Sequence, residues 1–307
     1  MSPQDTLPSP SPSTSPATAP PKGSGRTRPT RLGRLRALGG SPLQRICLLL
    51  LVTFLLVALL APWLAPQDPT FGHLGDSLLR PGAGHWLGTD QGGHDTLSAL
   101  IVGTRTSLAG PLAVVLSSTV LGIAVGLFAA WRGGWVDTAV GRVLDVLFAF
   151  PALLLAILAV ALFGKGMTAP VLAMALAYMP YTARLVRGLA VREKARPYVA
   201  AYQVQGHSAL FVTVRRMLPN IAPTLLAQST VNFGYALLDL AALSFLGLGV
   251  QPPTPDWGAM INQGQAAVLQ GQPLSAVVPA VAVVLVVVAF NVVGENLGDR
   301  LAGRDAR

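Results

Sequence analysis

Charge is what this sequence has least of. Only 11% of its 307 residues are Asp, Glu, Lys or Arg, against roughly 25% in a soluble globular domain. The few charges leave long gaps. Charge-free runs extend over Ile46–Gln67, Thr106–Trp131, Val146–Gly164, Gly166–Ala183, Met217–Leu238 and Trp257–Gly294. Each holds an apolar segment long enough to cross a hydrocarbon core of about 30 Å, so a soluble helical core is excluded in favour of a multi-span membrane protein. Cysteine is nearly absent as well. The single Cys47 excludes an internal disulfide, and its position inside the first apolar run makes it a packing residue.

The motifs of catalysis are also missing. There is no GxxxxGK[ST] phosphate loop, so ATP hydrolysis is not expected of this chain, and HExxH, paired CxxC and GxSxG are absent. No catalytic residue, cofactor site or metal site is expected. Residues His73, His85, Asp90, His94 and Asp95 do invite a Zn²⁺ or Ni²⁺ reading. The glycines and Thr89-Asp90 among them fit turn and cap chemistry better, with Asp95 placed to cap a helix starting at Thr96. A membrane enzyme therefore has no visible site. A secondary transporter or channel is the alternative to an ATP-driven one, but such a carrier usually shows more charge within its spans or broken helices repeated in two halves.

What is present sets the topology. Spans are expected near 43–64, 107–131, 143–163, 167–188, 221–247 and 274–294. Nineteen of the 22 Lys and Arg fall in the tail 1–42 and its border, the 132–142 loop, the 184–216 segment and the C-terminus, whereas Arg80, Arg105 and Lys165 lie on the other side. That bias puts both termini and the 184–216 segment in the cytoplasm. Residues 1–42, rich in Pro, Ser and Thr and then Arg, read as a disordered basic tail held near anionic lipid rather than a signal peptide or a nucleic-acid arm. Loop 65–105 is expected outside the membrane, a five-helix core over 106–296 contains the cytoplasmic loop 189–220, and 297–307 forms a cytoplasmic tail. Pro180 should kink the fourth span. Gly122, Gly126, Gly234, Gly247 and Gly249 permit close helix approach. Asp239 lies deepest in a span, either as a functional acid or as one hydrogen-bonded toward another helix or a water-filled gap, and is not expected to carry a transported proton.

These features converge on a resemblance. His85-Trp-Leu-Gly-Thr-Asp90-Gln-Gly-Gly-His94-Asp95 resembles the H-P-L-G-T-D-x-x-G-R-D segment of binding-protein-dependent ABC permeases of the dipeptide, oligopeptide and nickel family, in their C-type subunit; Trp86 and His94 stand where that family usually has Pro and Arg. Gly133-Gly-Trp-Val-Asp137, Phe148-Ala-Phe-Pro151, Tyr181-Thr-Ala-Arg184-Leu-Val-Arg187, Leu218-Pro-Asn220, the string from Leu243 to Gly258, and Phe290-Asn291 with Gly294 are similar to further family segments. The resemblance implies the all-α, six-span, type I ABC importer permease fold in the bacterial inner membrane. It also implies four kinds of partner: the lipid bilayer, a homologous second permease, two cytoplasmic ATPases and an extracytoplasmic solute-binding protein.

It further implies that a short helix in the long inner loop couples the spans to an ATPase. Tyr198, Val199, Ala200, Ala201, Tyr202, Gly206, Leu218 and Pro219 are the candidate coupling residues. Ala200, Ala201 and Tyr202 occupy the positions of the family's E-A-A motif, so its acid is missing, and Asp239 stands one position before the family's usual Glu. Gly206 is suited to end the helix with positive φ. Tyr198, Val199, Tyr202 and Val204 are expected to supply an apolar docking surface, the alternative being an amphipathic helix that rests on the membrane surface.

Overall fold

The computed structural model describes residues 42–305, with side chains described through residue 298. The basic tail expected before residue 42 lies outside the described residues, as do 306 and 307 and the side chains of Arg300 and Arg304. The described chain is helical; the only β contact within it is an isolated bridge between Thr89 and Asp95.

Eleven α-helices follow one another. Helix α1 (Pro42–Leu64) opens on a proline, whose missing N–H costs nothing in the first turn. A loop with one short 3-10 turn, Leu74–Asp76, leads to α2 (Thr96–Arg132). At 37 residues α2 is about 55 Å long, more than a bilayer core requires. Next come α3 (Gly134–Phe148), α4 (Ala152–Phe163) and α5 (Thr168–Lys194), then two short helices, α6 (Pro197–Val204) and α7 (Ala209–Val212). A π turn over Thr213–Met217 leads into α8 (Leu218–Phe245), followed by α9 (Trp257–Gln263), α10 (Gln265–Leu269) and α11 (Leu274–Asp305).

Length and apolar composition mark α1, α2, α5 and the Leu274–Gly298 part of α11 as spans, and α3 with α4 as a fifth if that bent pair counts as one. The run expected over 143–163 is thus two helices, which meet at 77°. Pro151 is the cause: it lacks an N–H and pushes the residue before it away from helical geometry, so α3 ends in a tight turn and a new helix starts at Ala152. By contrast α5 continues unbroken through Pro180. The run expected at 221–247 is α8. It has 28 residues, long enough for a crossing, but Gln228, Asn232 and Asp239 keep it out of the set that apolar composition marks.

Helices α2 and α5 are the most closely packed pair, because glycine replaces side chains at the crossing. A Cβ on Gly122 would lie 2.6 Å from Thr182 Cβ, and one on Gly126 2.6 Å from the Ala183 carbonyl oxygen. Lipid supplies no hydrophobic drive between helices, so such backbone contact is what holds them. Gly234 has ordinary space beside Asn291, and Gly247 takes positive φ in a turn.

Two apolar cores result. A central one includes Val114, Met174, Leu237, Leu243, Trp257 and Val286 from five helices. A second, at the end of the bundle that carries most of the described basic residues, includes Leu127, Val186, Val199, Val212, Met217 and Ile221. That end is called the basic end below; the opposite, loop-rich end carries residues 65–95 and 246–273. Cys47 is buried, as a packing residue should be.

Candidate functional site

At the basic end, α6 forms a short shelf across the spans. Pro197 starts it, and Gly206 stops it at φ +81°. The Gly206 amide donates to the Gln203 carbonyl at 3.0 Å and the His207 amide to the Tyr202 carbonyl at 3.1 Å. This is the Schellman pairing that a left-handed residue after a helix produces, so the expected glycine stop is present.

The two faces of α6 differ. Val199 is fully buried in the basic-end core, and Tyr198 and Tyr202 pack against it. Residues at i, i+3 and i+4 share a helix face, so these three hold α6 to its own spans. They do not form the free apolar surface that the sequence suggested. Ala200, Ala201 and Val204 face outward, and Val204 is 89% exposed. Beyond the stop, Leu210 is also exposed, and His207 stacks on Phe211 at 4.7 Å. Arg216 lies over the Tyr202 ring at 4.9 Å. Leu218 is half-buried against the same core, and Pro219 is exposed in the first turn of α8.

A residue overlooked in the sequence organises this end. Glu193, in the last turn of α5, is 5% exposed. Its Oε1 accepts from the Tyr198 hydroxyl at 2.6 Å and from Asn220 Nδ2 at 2.8 Å, while Oε2 pairs with Arg196 Nε at 3.0 Å. One carboxylate therefore ties together α5, α6 and the start of α8. Burial, then the hydrogen bond to Glu193, pushes the Tyr198 hydroxyl up to about 12. Glu193 sits in a basic run and reads as a solvated charge; the available signal was that it is the only carboxylate between Asp145 and Asp239. Next to it, Lys194 donates to the Trp131 carbonyl at 2.8 Å and lies over that indole, placing a cation at the negative end of α2. The Tyr181–Arg187 motif is engaged too. Arg187 forks onto Asp137, and Arg184 reaches Asp145 at 2.8 Å, so α5 is pinned to α3.

Within the bundle, Asp239 is half-buried on α8 and accepts from the Tyr178 hydroxyl of α5 at 2.9 Å. Leu240, at the position of the family's usual Glu, is buried in the central core. A shift of one residue turns a side chain by about 100° around a helix, so the acid here leaves the packed face of α8.

At the loop-rich end the carboxylates cap helices. Asp95 accepts from Ser98 N at 2.8 Å and Ser98 Oγ at 2.6 Å, as expected of a cap on the helix starting at Thr96, and its other oxygen meets His85 Nδ1 at 3.0 Å. Asp90 holds both the backbone N–H and Nδ1 of His94. His85 and His94 thus each pair with one carboxylate, and no group of three or more His, Cys, Asp or Glu able to hold a metal occurs among the described residues. Asp256 caps α9 through the Gly258 and Ala259 amides and accepts from Ser107 Oγ of α2 at 2.8 Å. Trp257, fully buried, donates from Nε1 to the Leu100 carbonyl and meets Phe54 of α1 edge-on at 5.6 Å.

Comparison with known proteins places this arrangement. Residues 122–304 match the model of the binding-protein-dependent transport system inner membrane component family. The nickel transport system permease protein NikC of Escherichia coli (strain K12) is 38% identical over 257 residues, which cover 84% of this chain and 92% of that relative. The dipeptide transport system permease protein DppC of Alkalihalophilus pseudofirmus is 33% identical over 266 residues, 87% of each chain. The glutathione transport system permease protein GsiD of Pectobacterium atrosepticum is 38% identical over 254 residues, 82% of this chain and 84% of that one. Among solved structures, the MetNI methionine ABC transporter in inward-facing conformations aligns with a TM-score of 0.52 at 16% identity, covering 67% of this chain and 97% of that one. That last likeness is one of fold.

Proposed function

The chain belongs to the family of binding-protein-dependent transport system inner membrane components, as a permease subunit of an ABC importer, and we propose that it works as half of a translocation pathway driven from its basic end. A homologous second permease supplies the other half. Two cytoplasmic ATPases hydrolyse ATP, and this subunit performs no catalysis. An extracytoplasmic binding protein delivers solute to the loop-rich end. The basic end faces the cytoplasm, in keeping with the placement of 19 of the 22 Lys and Arg. The solute is a peptide or a related small molecule, including nickel complexes, in line with relatives named for nickel, dipeptide and glutathione transport.

The observation that carries this reading is α6: a capped helix of eight residues, anchored by Tyr198, Val199 and Tyr202, with Val204 turned outward. An exposed apolar helix face is suited to a groove on a partner. When the ATPases close, a push on α6 reaches α5 and α8 through Glu193, which contacts Tyr198 on one side and Asn220 on the other. Those are the two helices that bring Tyr178 and Asp239 together, so movement at the basic end reaches the interior of the bundle.

The test is reconstitution of the four-subunit complex in proteoliposomes with its binding protein. Uptake of solute should need both ATP and the binding protein. Uptake that persists without ATP would place the chain among secondary transporters or channels.

A further inference from the structure

Helix α8 carries a polar stripe that a lipid-facing helix would not. Thr224, Gln228, Tyr235 and Asp239 fall within an arc of about 60° at 100° per residue. Tyr235 is 55% exposed, and the other three are half-buried. The contrast with α1 is sharp: α1 has mean hydropathy 2.7, is largely exposed, and bears no such stripe. A partly exposed carboxylate within so long a helix belongs to a water-filled path or a bundle interior, since hydrocarbon excludes it.

Asp239 also lacks a countercharge. No Lys or Arg occurs anywhere from residue 217 to 299, and no cation pairs with Asp239 among the described residues. Tyr178 donates to Oδ2, while Oδ1 has no hydrogen-bond partner among the described residues. The Tyr235 ring stands one helical turn away on the same face. A carboxylate with one open oxygen beside an exposed aromatic ring is the chemistry that receives an ammonium group, by charge-assisted hydrogen bond and by cation–π attraction.

We propose that Asp239, Tyr178 and Tyr235 form a subsite in the translocation path that receives the ammonium group of the passing solute. The subsite rests on the reading of the chain as a permease. It adds a selectivity element of the permease's own to whatever selection the binding protein makes. Its position supports this role: Asp239 lies six residues from the end of α8 at Phe245, about 9 Å below the loop-rich end at 1.5 Å per residue. A solute entering from that end meets it early.

The experiment uses the complete importer in nanodiscs, with Cys47→Ser and Ala242→Cys in this chain, so that its one thiol lies on the stripe a turn from Asp239. Labelling by a trimethylammonium thiosulfonate and by its sulfonate counterpart is followed by the mass of this subunit. After normalisation to reaction with free cysteine, the cationic reagent should react about tenfold faster, and Asp239→Asn should bring the ratio to about one. Millimolar alanylalanine amide, a cation, should slow the labelling about fivefold, while N-acetylalanylalanine, an anion, should not. The subsite is overturned if neither reagent labels position 242, if the preference survives Asp239→Asn, or if both peptides protect equally. ATP-dependent uptake by the same subunits in proteoliposomes separates the two claims. Preserved uptake without charge preference sinks the subsite alone, and uptake without ATP sinks the importer reading.

Discussion

The two ends of the bundle solve one problem, a buried carboxylate at a helix terminus, in opposite ways. At the loop-rich end, Asp95 and Asp256 stand at the starts of α2 and α9 and accept backbone amides of the first turn. The positive end of the helix dipole favours them there. At the basic end, Glu193 stands in the last turn of α5, where the dipole disfavours an acid. It is satisfied instead by the side chains of Tyr198, Asn220 and Arg196. Backbone caps fix a helix in one register, whereas a latch of side chains can be pulled or reset as a unit. The loop-rich end is thus braced by backbone caps and the basic end is held by side chains, in keeping with the proposed transmission of movement through it.

The sharpest way to break that contrast is at the braced end. Asp256→Ala removes the acceptor for two amides and the Ser107 hydroxyl at a site only 3% exposed. A loss of about 3 kcal/mol is expected from orphaned buried donors and a lost cap. Thermal unfolding in detergent should show it as a lower midpoint for the whole bundle. The matching change at the basic end, Glu193→Ala, should cost less, about 2 kcal/mol, and act locally. Hydrogen exchange should quicken over residues 197–220 and hardly at all in the spans. Glu193→Gln should recover part of this, because its amide oxygen still accepts from Tyr198 and Asn220. If Glu193→Ala instead lowers the midpoint of the whole bundle, the two ends are braced alike.

Smaller again is Gly206→Val. A β-branched residue at φ +81° is strained by about 1–2 kcal/mol. Open space surrounds the position, so no clash adds to this. Membrane insertion should be normal, while substrate-stimulated ATP hydrolysis and transport fall together. The smallest effect is one of pH. The Tyr198 hydroxyl is raised above its usual value, so its contribution to the latch is complete below pH 10 and is lost as pH rises toward about 12. Relative to the base-catalysed exchange of an unstructured peptide, protection in 197–212 should fall over that window, and Tyr198→Phe should abolish that fall.

What the sequence made legible follows the same division. The charge-free runs located α1, α2, α5 and α11, Asp95 read as a cap three residues before the amide it captures, and the Gly206 stop followed from its place after a short helical run. These are short-range patterns, and a linear chain displays them. The face of α6 did not emerge. Tyr198, Val199 and Tyr202 are apolar in either setting, and only the approach of Leu127 and Val212 from other helices turns them inward. Glu193 was hidden for a similar reason, because one of its partners, Asn220, lies 27 positions away. The bend before α4 was written in Pro151, but it sits inside an unbroken apolar stretch that reads as one crossing.

The central claim is that the outward face of α6 meets an ATPase. The most direct measurement is disulfide or bis-maleimide crosslinking from Val204→Cys, in a Cys47→Ser background, to cysteines placed along the ATPase surface of the assembled complex. A crosslink from position 204 that shifts or weakens when ATP is bound, with none from a cysteine at the buried position 199, is the expected result. Absence of any crosslink from 204 in a complex that transports normally, or normal transport by Gly206→Val, would contradict the account and move the coupling contact elsewhere, with the loop over residues 132–142 as the next place to probe.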